Sequence, residues 1–112
     1  MSTQDVVPLT TLICNFAKQN QHKEAITLFS TMLHLNIQPN EYTFGTVTRS
    51  SILLKDLYLG QQVHSFAKKI GLNFDIFVGS AMLDLYVLLN NIRDAERVFD
   101  DSYEPNVVST QL

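Results

Sequence analysis

The 112-residue sequence has one cysteine, no tryptophan, three prolines and four glycines, and only 17% of it is charged. Each shortage excludes something. A lone Cys14 rules out an internal disulfide framework and a cysteine-based zinc site. The glycines at Gly45, Gly60, Gly71 and Gly79 form no phosphate-cradling loop. The longest wholly apolar run, Leu85 to Leu89, falls far short of the roughly 18 residues needed to cross a bilayer, so no membrane partner is expected. Met1 to Asp5 contain no basic or apolar leader segment, and neither a secretory signal nor an organelle transit peptide is visible. Eight basic residues stand against eleven acidic ones, a net charge of −3, so no general positive field advertises a nucleic-acid partner.

What is present is apolar: 46% of the residues are hydrophobic. A chain near 110 residues buries roughly two-thirds of its unfolded surface, enough for a core without metal or disulfide. Charge is uneven along it. Residues 1–74 carry six bases and four acids, whereas residues 75–112 carry two bases and seven acids. A polyanion would therefore favour the first two-thirds. No catalytic constellation emerges: His22, His34 and His64 lie far apart, and Cys14 has no histidine or acid at helical spacing to activate it. It reads as a small core residue. Asp100, Asp101 and Glu104 read as a solvated turn rather than a metal site. The expectation is a non-enzyme without cofactor or metal.

Shifting the chain against itself by 35 residues brings like onto like. Ala25, Gly60 and Ala95 coincide, as do Leu28, Val63 and Val98, and Leu12, Val47 and Met82. Small residues recurring at one position suit helices that cross at close range, with large neighbours filling the gaps on either side. Apolar spacing within each unit is helical and comes as two stripes separated by a polar break, at Lys18 to Lys23, at Leu54 to Asp56 and at Asn90 and Asn91. Between units stand Asn36 and Pro39, then Gly71 and Asn73, then Pro105 and Asn106. Alternation with period two is nowhere sustained. The pattern predicts an all-α fold, an α-solenoid of about three stacked antiparallel helix hairpins, in which stacking buries the apolar side of each hairpin.

In these units the sequence resembles a pentatricopeptide repeat array of the plant organellar type. Val6 to Asn40, with "EAITLFSTM" and the closing "IQPN", resembles the standard 35-residue repeat. Glu41 to Asp75, with "YTFGTV" and "LGQQVHSFAKKIGL", resembles the long variant, and Ile76 to Asn106, with "FVGSAMLDLY" and "DAERVFD", the short one. Residues 1–5 read as the tail of a preceding unit and 107–112 as the opening of another, so the chain is expected to be a slice of a longer solenoid or a shortened product. Tetratricopeptide repeats fit less well, because Ile13 stands where their first helix wants glycine and Pro39 follows Ala25 by 14 residues rather than about 12. The resemblance implies a right-handed solenoid, a mitochondrial or chloroplast address with the mitochondrion ahead, and single-stranded RNA as the partner. The standard, long, short succession implies the subclass tied to organellar RNA editing and its editing-complex proteins. The zinc deaminase signatures often appended to such factors are missing from this sequence.

Helical repeats that read one base each use two or three side chains per repeat. By position, the resemblance implies base-reading pairs Thr10 with Asn40, Gly45 with Asp75, and Ser80 with Asn106, and base-stacking residues Val7, Tyr42 and Phe77. The family's pairing rule implies adenine for the first and third pairs. Gly45 offers no side-chain hydrogen bond, so the second unit should discriminate poorly. Other readings stand beside these: Thr10, Ser80, Asn40, Asp75 and Asn106 have the residue types of caps and turns, and Tyr42 and Phe77 could pack between repeats. A handful of stacked bases supplies on the order of 3–9 kcal/mol gross, against about 4 kcal/mol for millimolar binding, so this monomeric chain alone should bind RNA weakly. A protein-interaction scaffold and a remnant without independent role are the alternatives.

Overall fold

The computed structural model describes the backbone of residues 6–111 and the side chains as far as Asp101. It holds six helices and, among the described residues, no strand: α1 Val6–Lys18, α2 His22–His34, α3 Glu41–Leu53, α4 Leu57–Lys69, α5 Ile76–Leu88 and α6 Ile92–Gln111, with a 3-10 turn at Leu72–Phe74. The expected all-α stack of helix hairpins is the observed fold. Helices α1, α3 and α5 start 35 residues apart, and so do α2, α4 and α6.

Each of the first five helices stops by one device. Two residues past the helix end the chain turns left-handed, at Asn20, Asn36, Lys55, Gly71 and Asn90. At all but Gly71 the next amide then reaches back to a carbonyl of the last turn: Gln21 to Phe16 at 2.8 Å, Ile37 to Met32 at 3.1 Å, Asp56 to Ser51 at 3.0 Å and Asn91 to Tyr86 at 2.7 Å. That pairing satisfies carbonyls the helix itself leaves orphaned, and glycine or asparagine suits it because neither resists positive φ. Lys55, at φ 55°, lacks that ease; left-handed backbone costs an ordinary residue roughly 1–2 kcal/mol. Side-chain caps open most helices. Asn40 caps α3, Asp56 accepts from the Leu59 amide at 3.1 Å, and Asp75 accepts from the Val78 amide at 3.0 Å.

The helices form two layers. In the inner one α1 packs on α3 and α3 on α5, while α2 and α4 of the outer layer lie against α3 and α5. Helix α3 is therefore enclosed on most sides, and Thr43, Phe44, Gly45, Val47, Thr48, Ser50 and Ser51 are all buried. Phe44 docks between Phe29 of α2 and Phe66 of α4, with ring centroids 6.0 and 6.1 Å away. Farther out, a groove of about 340 Å³ lined by Ile26, Phe29, Leu33, Leu59, Val63 and Phe66 separates α2 from α4. The small residues of the 35-residue pattern, Ala25, Gly60 and Ala95, are all buried. At Gly60 the need is steric, since a Cβ there would come within 2.5 Å of Leu85 Cδ2 on α5.

Three expectations differ from the structure, the first being the turn read at Asp100, Asp101 and Glu104, which lie inside α6. Cys14 is half-buried rather than core, with its Sγ 3.2 Å from Thr46 Oγ1. The turn expected at Pro105 and Asn106 is absent, for α6 continues through both to Gln111. Proline's fixed φ is itself helical, so the helix runs through it at the cost of one backbone bond and a ring clash with the carbonyl four residues back, roughly 3 kcal/mol.

Candidate nucleic-acid interface

The inner layer sets three helix starts side by side, so residues at equal places on α1, α3 and α5 recur along one surface. Val7, Tyr42 and Phe77 are 62%, 58% and 46% exposed. These values argue against a purely core role for the two rings, because aromatics buried between repeats would be closed to solvent. Three residues further along come Thr10, Gly45 and Ser80; the first two are buried and Ser80 is exposed.

At the junction of α1 and α3 the sequence-derived residues converge. A groove of about 410 Å³ is lined by Val7, Thr10, Asn40 and Tyr42, together with Thr11, Cys14, Asn15 and Lys18. Thr10 Oγ1 lies 2.7 Å from Thr43 Oγ1, whose hydroxyl in turn donates to Asn40 Oδ1 at 2.9 Å. Asn40 Oδ1 also accepts from the backbone amides of Tyr42 and Thr43 at 3.0 and 2.9 Å, and the backbone amide of Asn40 donates to Thr43 Oγ1 at 3.2 Å. Capping and groove lining thus coexist in one side chain. The carbonyl oxygen of Asn40 serves the helix, and its amide nitrogen is left over.

The α3–α5 junction is finished differently. Phe77 lies over Gly45, where an added Cβ would sit 3.3 Å from the ring, and it meets Tyr42 in a T-shaped contact at a centroid distance of 5.7 Å. The two rings touch directly, so a base stacked between them would first have to part them. Asp75 caps α5, and Val78 stands where α3 has Thr43. Of the third pair, Ser80 sits on α5, while the side chain of Asn106 lies outside the described residues.

Charge near the first groove is positive. Lys18 borders it and shares the adjoining cleft with Arg49 and His22, whose Nδ1 lies 3.0 Å from Ser50 Oγ. His64, on α4, is half-buried with Nδ1 2.8 Å from Tyr86 Oη. Burial, helped by the Lys68 charge, pushes its pKa down to about 4, and burial raises Tyr86 to about 12. This pair packs α4 to α5 and lies away from both junction surfaces. Among the described residues no group of three or more metal-ligating side chains occurs. Sequence reasoning missed Thr43. Its hydroxyl matters only through partners on α1 and at the α3 cap, a coincidence that no spacing along the chain announces.

Residues 4–50 match the family model described as PPR repeat family. Three relatives from Arabidopsis thaliana, each called a pentatricopeptide repeat-containing protein, align with nearly the whole chain. One, named mitochondrial, is 50% identical over 94% of this chain and 20% of its own length. A second mitochondrial one is 35% identical over 97% of this chain and 17% of its own, and a chloroplastic one is 30% identical over 97% and 18%. The chain spans about a fifth of the length of these curated relatives.

Proposed function

Since this is a pentatricopeptide-repeat chain, we propose that it is a non-catalytic module that binds single-stranded organellar RNA, one base per repeat, within an RNA processing or editing factor. The units on this reading are 6–40, 41–75 and 76–106, in standard, long and short order. The address is organellar, with the mitochondrion ahead of the chloroplast, in line with the relatives' names.

One observation carries the reading. Thr10 and Asn40, implied as a reading pair by the resemblance, are joined through a single bridging hydroxyl and line the same groove as Val7 and Tyr42. A base entering there meets apolar walls at its faces and polar groups at its edge. Stacking contributes roughly 1–3 kcal/mol per base and does not depend on sequence; the hydroxyl and the amide supply the choice. Lys18 and Arg49 lie close enough to the groove to attract the strand's phosphates. Because few bases are engaged, affinity in isolation is low, and tandem units raise it.

Nuclear magnetic resonance titration of the chain with short single-stranded RNAs tests this. Adenine-containing strands are expected to shift the Thr10 methyl and Asn40 amide signals at lower concentration than uracil strands. The double variant Thr10→Asn, Asn40→Asp is expected to reverse that order. Equal response to all bases in the native chain would overturn the base-reading assignment, and no response at millimolar RNA would overturn RNA binding.

A further inference from the structure

The hydrogens in the first groove can be assigned from valence alone. Asn40 Oδ1 faces two backbone amides, so the side-chain amide cannot be flipped without setting donor against donor. Thr43 Oγ1 lies 2.9 Å from that oxygen, which bears no hydrogen, so the single Thr43 proton must point to Asn40. Thr43 then has no proton for Thr10, and over the 2.7 Å separating the two hydroxyls Thr10 is the donor. The result is a one-way chain, Thr10 to Thr43 to Asn40. Thr43 is fully buried and fully used, donating once and accepting from both Thr10 and the backbone amide of Asn40. What remains for the groove is a lone pair on Thr10 and the two protons of Asn40 Nδ2.

Resting on the base-reading proposal above, we propose that Thr43 is a positioning residue that fixes the donor–acceptor polarity of the first groove. Without touching the ligand, it makes the groove separate bases bearing an amino group at the read edge, adenine and cytosine, from bases bearing a carbonyl there, guanine and uracil. A base held in one pose sets its exocyclic group against one partner and its ring nitrogen against the other. Those two positions exchange donor and acceptor roles between the amino and carbonyl bases, and a groove of fixed polarity accepts only one class. If the Thr10 hydroxyl were free to rotate it would serve both. The equivalent junction between α3 and α5 has Gly45, Asp75 and Val78 at the corresponding places, and no such chain exists there.

The test uses the whole chain and pentanucleotides that are abasic except for one central adenine, cytosine, guanine or uracil, followed through the Thr10 methyl and Asn40 side-chain amide signals. The native chain is expected to favour one class over the other by about tenfold, the lower end of what a two-point contact gives. Thr43→Val should bring the classes to within about twofold while keeping the stacking contribution, and Thr43→Ser should restore the gap. A tenfold gap persisting in Thr43→Val overturns the role of Thr43 and leaves base reading intact. The absence of any gap in the native chain overturns both. Because Thr43→Val also weakens the α3 cap, the Thr43 hydroxyl proton of the free native chain gives a reading that needs no variant. Through-space coupling to the Asn40 side chain supports the one-way chain, and a proton directed at Thr10 overturns it.

Discussion

The α1–α3 and α3–α5 junctions share one backbone plan, offset by 35 residues, and differ in almost every side chain that completes it. The first is polar and open, with Thr10, Thr43 and Asn40 joined by hydrogen bonds beneath an accessible groove. In the second, Phe77 rests on Gly45 and against Tyr42, and behind it α4 packs on α5, where Gly60 makes room for Leu85. Ala25 and Ser50 hold those last two places one unit earlier, and His64 replaces Phe29. A repeat backbone therefore decides where side chains arrive, and the side chains decide whether the place becomes an open polar groove or a contact between rings.

Truncating Leu85 probes the packed half of this difference most severely. Leu85→Ala should cost about 2–5 kcal/mol in chemical denaturation, since it is fully buried and leaves a cavity. Adding Gly60→Ala, which moves the pair toward the small residues of the first junction, should recover part of that loss; alone, Gly60→Ala should destabilise by about 1–3 kcal/mol through overpacking. If the double variant is no better than Leu85→Ala, the two residues are not exchanging volume.

Acid should act on the α4–α5 packing behind the second junction, where His64 meets Tyr86. The folded chain holds His64 neutral, with a pKa pushed down from 6.5 to about 4, so it binds the proton less readily than the unfolded chain does. Stability is then complete above about pH 6.5 and falls as pH drops toward 4, by on the order of 1 kcal/mol near pH 5 once partial exposure is allowed for. His64→Phe, the residue found at the equivalent place in the other two units, should flatten the dependence between pH 7 and 5. The smallest effect is expected from Gly45→Ser. A Cβ there sits 3.3 Å from the Phe77 ring, a tight but not forbidding contact, and the helix gains by losing a glycine. Stability should change by less than about 1 kcal/mol, whereas the aromatic signals of Tyr42 and Phe77 should move as the ring is displaced.

Much of this architecture is legible without coordinates. The coincidence of Ala25, Gly60 and Ala95 marks the close crossings, and Asn36, Gly71 and Asn90 mark turns whose backbone only such residues adopt cheaply. Both follow from local sterics, which a sequence displays. Thr43 and the Phe77–Gly45 contact were not legible, because each joins helices more than thirty residues apart and depends on their rotation. Lys55 misleads in another way: its type gives no hint of the left-handed turn that ends α3 inside the second unit.

The inner layer also sets a stride. Packed helices stand roughly 8–10 Å apart, well over twice the 3.4 Å between stacked bases in one strand of a duplex. An RNA strand threaded along α1, α3 and α5 would have to part its own stack at every step. Hairpins and duplexes, which hold that stack together, make poor guests for such a surface, and unstructured stretches make good ones.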